Sequence, residues 1–180
     1  MKSKNLLKTL IAAVVACLAM FSIPLFAQES LKLSDAEVAS VAVLANQLHI
    51  DYAAIAKQKT KNVDVLKFAK KMANDHKAAR GQVVALVHKI KVAPKDNLVS
   101  QKLWEDAIQT KIMLRSKSGD AFNKAYIDTE VEYNKTIINT IENTLIPQAD
   151  NQELHALLQK IVPALKAHLK YAIEVQNRIS

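Results

Sequence analysis

From residue 34 onward, apolar residues return every three or four positions, the spacing that gathers them on one side of an α-helix. The first run reads Val38, Val41, Ala45, Leu48, Tyr52 and Ile55. Ser34, with Glu37 three residues later, is a capping box, so a helix is expected from there to about Lys59. Asn62 is a suitable N-cap for a second helix carrying Val65, Phe68, Met72, His76, Ala79, Val83, Leu86 and Ile90 and ending near Val92. Gly81 falls inside it and is read as a point of close helix approach. After a turn from Pro94 to Asn97, Ser100 is expected to cap a shorter amphipathic helix through Leu103, Trp104, Ile108, Ile112 and Met113, ending near Lys117. Gly119 then suits a left-handed C-cap, and Asp120 the cap of the following helix. That fourth run is Phe122, Tyr126, Thr129, Tyr133, Ile137, Ile141 and Leu145, closed by Pro147. The last begins near Asp150 and carries Leu154, Leu158, Ile161, Leu165, His168, Ala172, Val175 and Ile179, with Pro163 expected to kink it. No segment has the two-residue period of a strand.

The links set the topology. Short connections near residues 60 and 148 make two antiparallel hairpins, and a crossover from about 93 to 118 carries its own helix. The expected fold is therefore all-α, a ferritin-like four-helix bundle with a long crossover carrying a short extra helix.

The first thirty residues do not fit that scheme. Lys2, Lys4 and Lys8 precede an apolar stretch from Leu10 to Phe21, and Ala27 precedes the polar Gln28, Glu29 and Ser30. This is the pattern of a secretory signal peptide, residues 1–27, removed to leave a single domain over 28–180 with its core at 31–178. Residues 14–17, ending in Cys17, also fit a lipobox, so a lipid anchor on Cys17 is the alternative to free release into the periplasm.

Lys+Arg 25 against Asp+Glu 17 gives a net charge of +8; residues 1–27 hold three lysines and no acid, so cleavage lowers it to +5. The lysines alternate with acids along helical faces, which reads as a solvated surface and excludes a nucleic-acid groove while allowing peripheral contact with a membrane. Two glycines cannot build a phosphate-binding loop, and one cysteine excludes a disulfide framework or a multi-cysteine zinc site.

Counting outward from the two hairpin turns sets His49 opposite His76 and Glu130 opposite His168, all near mid-height in the bundle. His49, His76, Glu130 and His168 are thus a candidate metal set for Fe, Mn, Cu or Zn, with Asp75 and Tyr133 as hydrogen-bonding supports. The Glu-x-x-His pairs of a carboxylate-bridged di-metal centre are not present: Glu130 is followed by Tyr133. Hydrogen-bonded core histidines are the competing expectation.

Several local runs resemble one family. They are Leu33-Ser34-Asp35-Ala36-Glu37, Ala45-Asn46-Gln47 with Ile50-Asp51, Phe68-Ala69 with Met72 and Asp75-His76, Gly119 to Phe122 with Ala125-Tyr126-Ile127-Asp128, and His168-Leu169. In order and spacing they are similar to a bacterial ferritin-like family of domains of unknown function, often labelled outer-membrane or periplasmic proteins. The resemblance implies a ferritin-like bundle, export, and recurrent polar positions at Asp75, His76 and His168. It also implies that His49 replaces a usual Glu, and that Tyr133 and Tyr171 replace usual histidines. The leading expectation is an exported, non-enzymatic binding or stress-related protein whose partner is an envelope component or a small ligand. A metal-binding or oxidoreductase-like bundle is the alternative, and a partner-binding module anchored by Trp104 a third.

Overall fold

The computed structural model describes residues 32–179; the expected signal peptide and Cys17 lie outside the described residues. Those residues form α1 (Asp35–Lys59), α2 (Val63–Lys89), α3 (Leu98–Ser116), α4 (Gly119–Thr140), a π-helical turn (Ile141–Leu145), α5 (Ile146–Gln148) and α6 (Gln152–Ile179). The architecture is an all-α bundle, with no strand among the described residues. Antiparallel α1 and α2 form one hairpin, α4 and α6 the other, and α3 crosses between them.

Local chemistry explains most of the ends. Ser34 and Glu37 form the expected capping box, and the Asn62 side chain accepts from the backbone of Asp64 and Val65. At the far end of α2, the Val92 amide donates to the Val87 carbonyl around Lys91, which adopts φ 58. This is a Schellman-type stop, with lysine where glycine is usual, and it ends the helix at Lys89, short of Val92. The two hairpins are tied together by the Asp35 carboxylate, which accepts from the amides of Asp150 and Asn151, and by Gln148, which accepts from the Leu33 amide.

Four expectations need correction. Asn97, not Ser100, caps α3; Ser100 is its capping-box partner one turn in. The face of α3 turned to the bundle is Ser100, Leu103, Ala107 and Leu114, whereas Trp104, Ile108 and Ile112 are 47%, 38% and 57% exposed. Gly119 does take a left-handed φ of 55, but it opens α4 behind Ser118 and does not close α3, whose C-cap is Lys117. Gly81 meets nothing within 4 Å, so no close approach explains it.

The crossover helix is strapped to α1 along its length. Asn97 donates to the Glu37 carbonyl, Lys111 pairs with Asp51 at 3.2 Å, and Lys59 donates to the Arg115 carbonyl. By length and composition α1 could cross a membrane, with mean hydropathy 1.2 over its most apolar stretch, but 67% of that stretch is buried inside the bundle. It is the bundle's central helix. Tyr52, Phe68, Phe122, Tyr126 and the aliphatic residues around them fill the core.

Candidate functional site

One helix irregularity lies at the level where the core is open. The π-helical turn after α4 widens the backbone there. Facing it runs α6, whose Pro163 has no N–H to donate but is exposed and lies outside the cavity lining. Between them lies a cavity of about 330 Å³. Thr140, Ile141 and Leu145 line one side, Ile161, Ala164 and Leu165 another, and Val41, Ala42 and Ala45 of α1 a third. Its inner end is polar: Asn46, His49, His76 and His168. Exposed Lys160 and Gln82 stand at its outer edge.

The three histidines converge at the inner end of the cavity. His49 and His76 stack face to face, with centroids 3.9 Å apart and planes 10° from parallel. The His168 ring lies 5.1 Å from His76. All three are buried, at 1%, 2% and 7% exposure. Each also has one nitrogen held by a neighbour. His49 Nδ1 is 3.0 Å from Glu130 Oε2, His76 Nδ1 is 2.9 Å from Asn46 Oδ1, and His168 Nε2 is 2.9 Å from Asp75 Oδ2. The opposite nitrogens, His49 Nε2, His76 Nε2 and His168 Nδ1, are buried without a protein partner, as is Glu130 Oε1.

Tyr133 packs its ring edge on His49 at 4.6 Å and on Tyr52 at 5.5 Å, while its hydroxyl donates to the Ala45 carbonyl. It positions the His49 ring and ties α4 to α1. Asp75 sits at the surface side of the cluster, where Lys71 and His168 both donate to it. Burial would raise its carboxyl, but those two hydrogen bonds outweigh burial and hold it below its usual value.

Burial dominates the ionisation of the rest. It pushes Glu130 up to about 8. It pulls His49 down to about 3, with the neighbouring His168 acting the same way, and lowers His76 further still. The His49–Glu130 pair therefore holds one proton at neutral pH, on the carboxyl, whose O–H donates to His49 Nδ1. His49, His76 and Glu130 are thus polar and uncharged at neutral pH.

Neutral imidazoles whose second nitrogen is hydrogen-bonded have the chemistry of metal ligands. Among the described residues no group of three or more His, Cys, Asp or Glu side chains is arranged to hold a metal ion. His49, His76, Glu130 and His168 meet in one place, but through ring contacts and hydrogen bonds with neighbours.

Sequence reasoning assigned no site role to Asn46, the partner of His76, placed Tyr126 only in the apolar run of its helix, and did not single out the buried Asn134 beside Glu130. Asn46 lay within reach of a pattern argument. It precedes His49 by three residues, on the same helical face, in a segment otherwise apolar on that side.

The profile of a domain of unknown function, DUF4142, matches residues 23–175 of the chain. Among solved structures, the chain is similar to a DUF305 protein from Streptomyces coelicolor that carries a provisional description as secreted. The two share 11% identity and a TM-score of 0.67, over 81% of this chain and 93% of that one, a likeness of fold. No curated protein sequence matches the chain.

Proposed function

Because the chain belongs to the DUF4142 family, whose members share a domain of unknown function, the site itself must supply the reading, and we propose a non-enzymatic binding protein of the cell envelope that holds a small, largely apolar ligand in its bundle cavity. The observation that carries this is the cavity of about 330 Å³, apolar along its walls and polar at its inner end. Ligand sites are concave, mostly apolar, and oriented by a few convergent polar groups with perturbed ionisation. Here those groups are His76, His168 and Asn46, with His49 and Glu130 behind them. The hairpin–crossover–hairpin order supports a ferritin-like topology. The charged start, apolar stretch and Ala27 support export through a cleaved segment 1–27, with a lipid anchor on Cys17 as the alternative for mass spectrometry of the mature protein to separate.

Titration with the uncharged fluorophore N-phenylnaphthylamine tests the cavity. The expected result is saturable, one-site enhancement that is lost in Ala79→Phe, which fills the cavity from α2, at an unchanged melting temperature. Non-saturable enhancement, or enhancement indifferent to Ala79→Phe, overturns the reading. Stoichiometric Fe, Mn, Cu or Zn retained by the purified protein would replace it with metal binding at His49, His76, Glu130 and His168.

A further inference from the structure

The hydrogen-bond polarity of the cavity's inner end is fixed by Asn46. Its Nδ2 donates to the Ala42 carbonyl at 2.8 Å, so the atom 2.9 Å from His76 Nδ1 is the amide oxygen, which can only accept. His76 therefore carries its proton on Nδ1. A neutral imidazole protonated there has a bare lone pair at Nε2, and that nitrogen is buried without a partner. His168 repeats the arrangement in the other sense. Asp75 Oδ2 accepts from Lys71 at 2.7 Å and from His168 Nε2 at 2.9 Å, which leaves His168 Nδ1 as the buried, unpartnered nitrogen. Protonating His76 would put a cation against the His49 ring, 3.9 Å away, and near His168, where no carboxylate contacts it. Around these nitrogens the walls are aliphatic, with Val41, Ile137, Ile161 and Leu165 among them. The charges that line the cavity do not serve this end of it: Asp75 is already paired with Lys71 and His168, and Lys160 stands at the outer edge, so a charged ligand would lose its hydration there without a free counter-charge.

Resting on the reading of the cavity as a ligand site, we infer that the ligand is an uncharged molecule presenting a hydroxyl or N–H on an apolar frame, and that it donates this group to His76 Nε2. Asn46 acts as the positioning residue that sets the acceptor. A ligand lacking the donor leaves the lone pair unsatisfied and forgoes the hydrogen bond. The expected discrimination is at least about tenfold in affinity.

The test compares para-propylphenol with para-propylanisole, the same frame with its donor methylated, by calorimetric titration of the purified protein. The phenol should bind at least about tenfold more tightly. Asn46→Leu should bring the ratio toward one, because His76 can then carry its proton on Nε2, a change that a loss of stability alone would not produce. Equal binding of the two compounds to the unaltered protein overturns the donor rule while leaving the cavity as a ligand site. Binding of neither compound, together with no N-phenylnaphthylamine response, removes the ligand site and the inference with it. Nitrogen NMR of the imidazoles gives a check that survives misfolding of any variant: His76 should show a protonated Nδ1 and a bare Nε2, and the reverse tautomer refutes the assignment.

Discussion

Replacing Glu130 by Gln should make the protein more stable than the natural chain in alkaline solution, although it removes a buried, hydrogen-bonded carboxylic acid. Glu130 is fully buried and its carboxyl is pushed up to about 8, against a usual value of 4.5. Between those values the folded state holds a proton that the unfolded chain has released, so stability falls as pH rises through this window. His49, pulled down from 6.5 to about 3, works in the opposite sense, and so does His76: below pH 6.5 the unfolded chain binds protons that the folded state refuses. The two histidines outweigh Glu130 on the acid side, and Glu130 acts without them above 6.5. The cluster's contribution therefore peaks near pH 6.5. From there to pH 8 the carboxyl costs about 1.4 kcal/mol per unit, or about 2 kcal/mol across the interval. The glutamine amide of the variant has the shape of the protonated acid and donates to His49 Nδ1, but does not titrate. Urea unfolding of both proteins from pH 5 to 9 measures the difference. Glu130→Gln should lie within about 1 kcal/mol of the natural chain at pH 6.5 and gain about 2 kcal/mol on it by pH 8. A constant offset between the two across that range would refute the assignment of a buried, protonated carboxyl.

Phe68 is fully buried between the rings of Tyr126 and Tyr171, so Phe68→Ala should cost about 3–5 kcal/mol in denaturant unfolding. On α3 the two faces should respond oppositely: Leu114→Ala costs about 2–5 kcal/mol, whereas Ile112→Ser, at an exposed position, stays within about 0.5 kcal/mol. Lys91 occupies the left-handed position of the stop after α2, so Lys91→Gly should raise stability by about 1 kcal/mol, read from the unfolding midpoint. Gly81→Ala places a methyl group in open space inside a helix and should also stabilise, by about 0.5–1 kcal/mol.

The resemblance to a family of unknown function agrees with the DUF4142 match at the level of the domain, and the expected helical bundle agrees with the architecture. Agreement is weakest for α3. There the periodic residues Trp104, Ile108 and Ile112 form an apolar face of their own, and periodicity cannot tell which of two such faces meets the bundle. Leu103, Ala107 and Leu114 win because Asn97, Lys111 and Lys59 fix the helix against α1 in that rotation.

The sequence by itself determined the helices, their order and the level at which the polar residues meet. Caps and breakers act within a few residues, and two short links force antiparallel neighbours whose heights can be counted from the turn. That count set His49 opposite His76 and Glu130 opposite His168, whereas Glu130 meets His49 and His168 lies beside His76. Only the tertiary structure decided how those residues use one another. Whether an imidazole at a given height finds an amide, a carboxyl or open space depends on rotations of whole helices, which no local pattern fixes. The cavity is likewise non-local. Its walls come from four helices, with the π-helical turn on one facing Ile161, Ala164 and Leu165 on another, and the tautomer of His76 is set by Asn46, 30 residues away in sequence and 2.9 Å away in space.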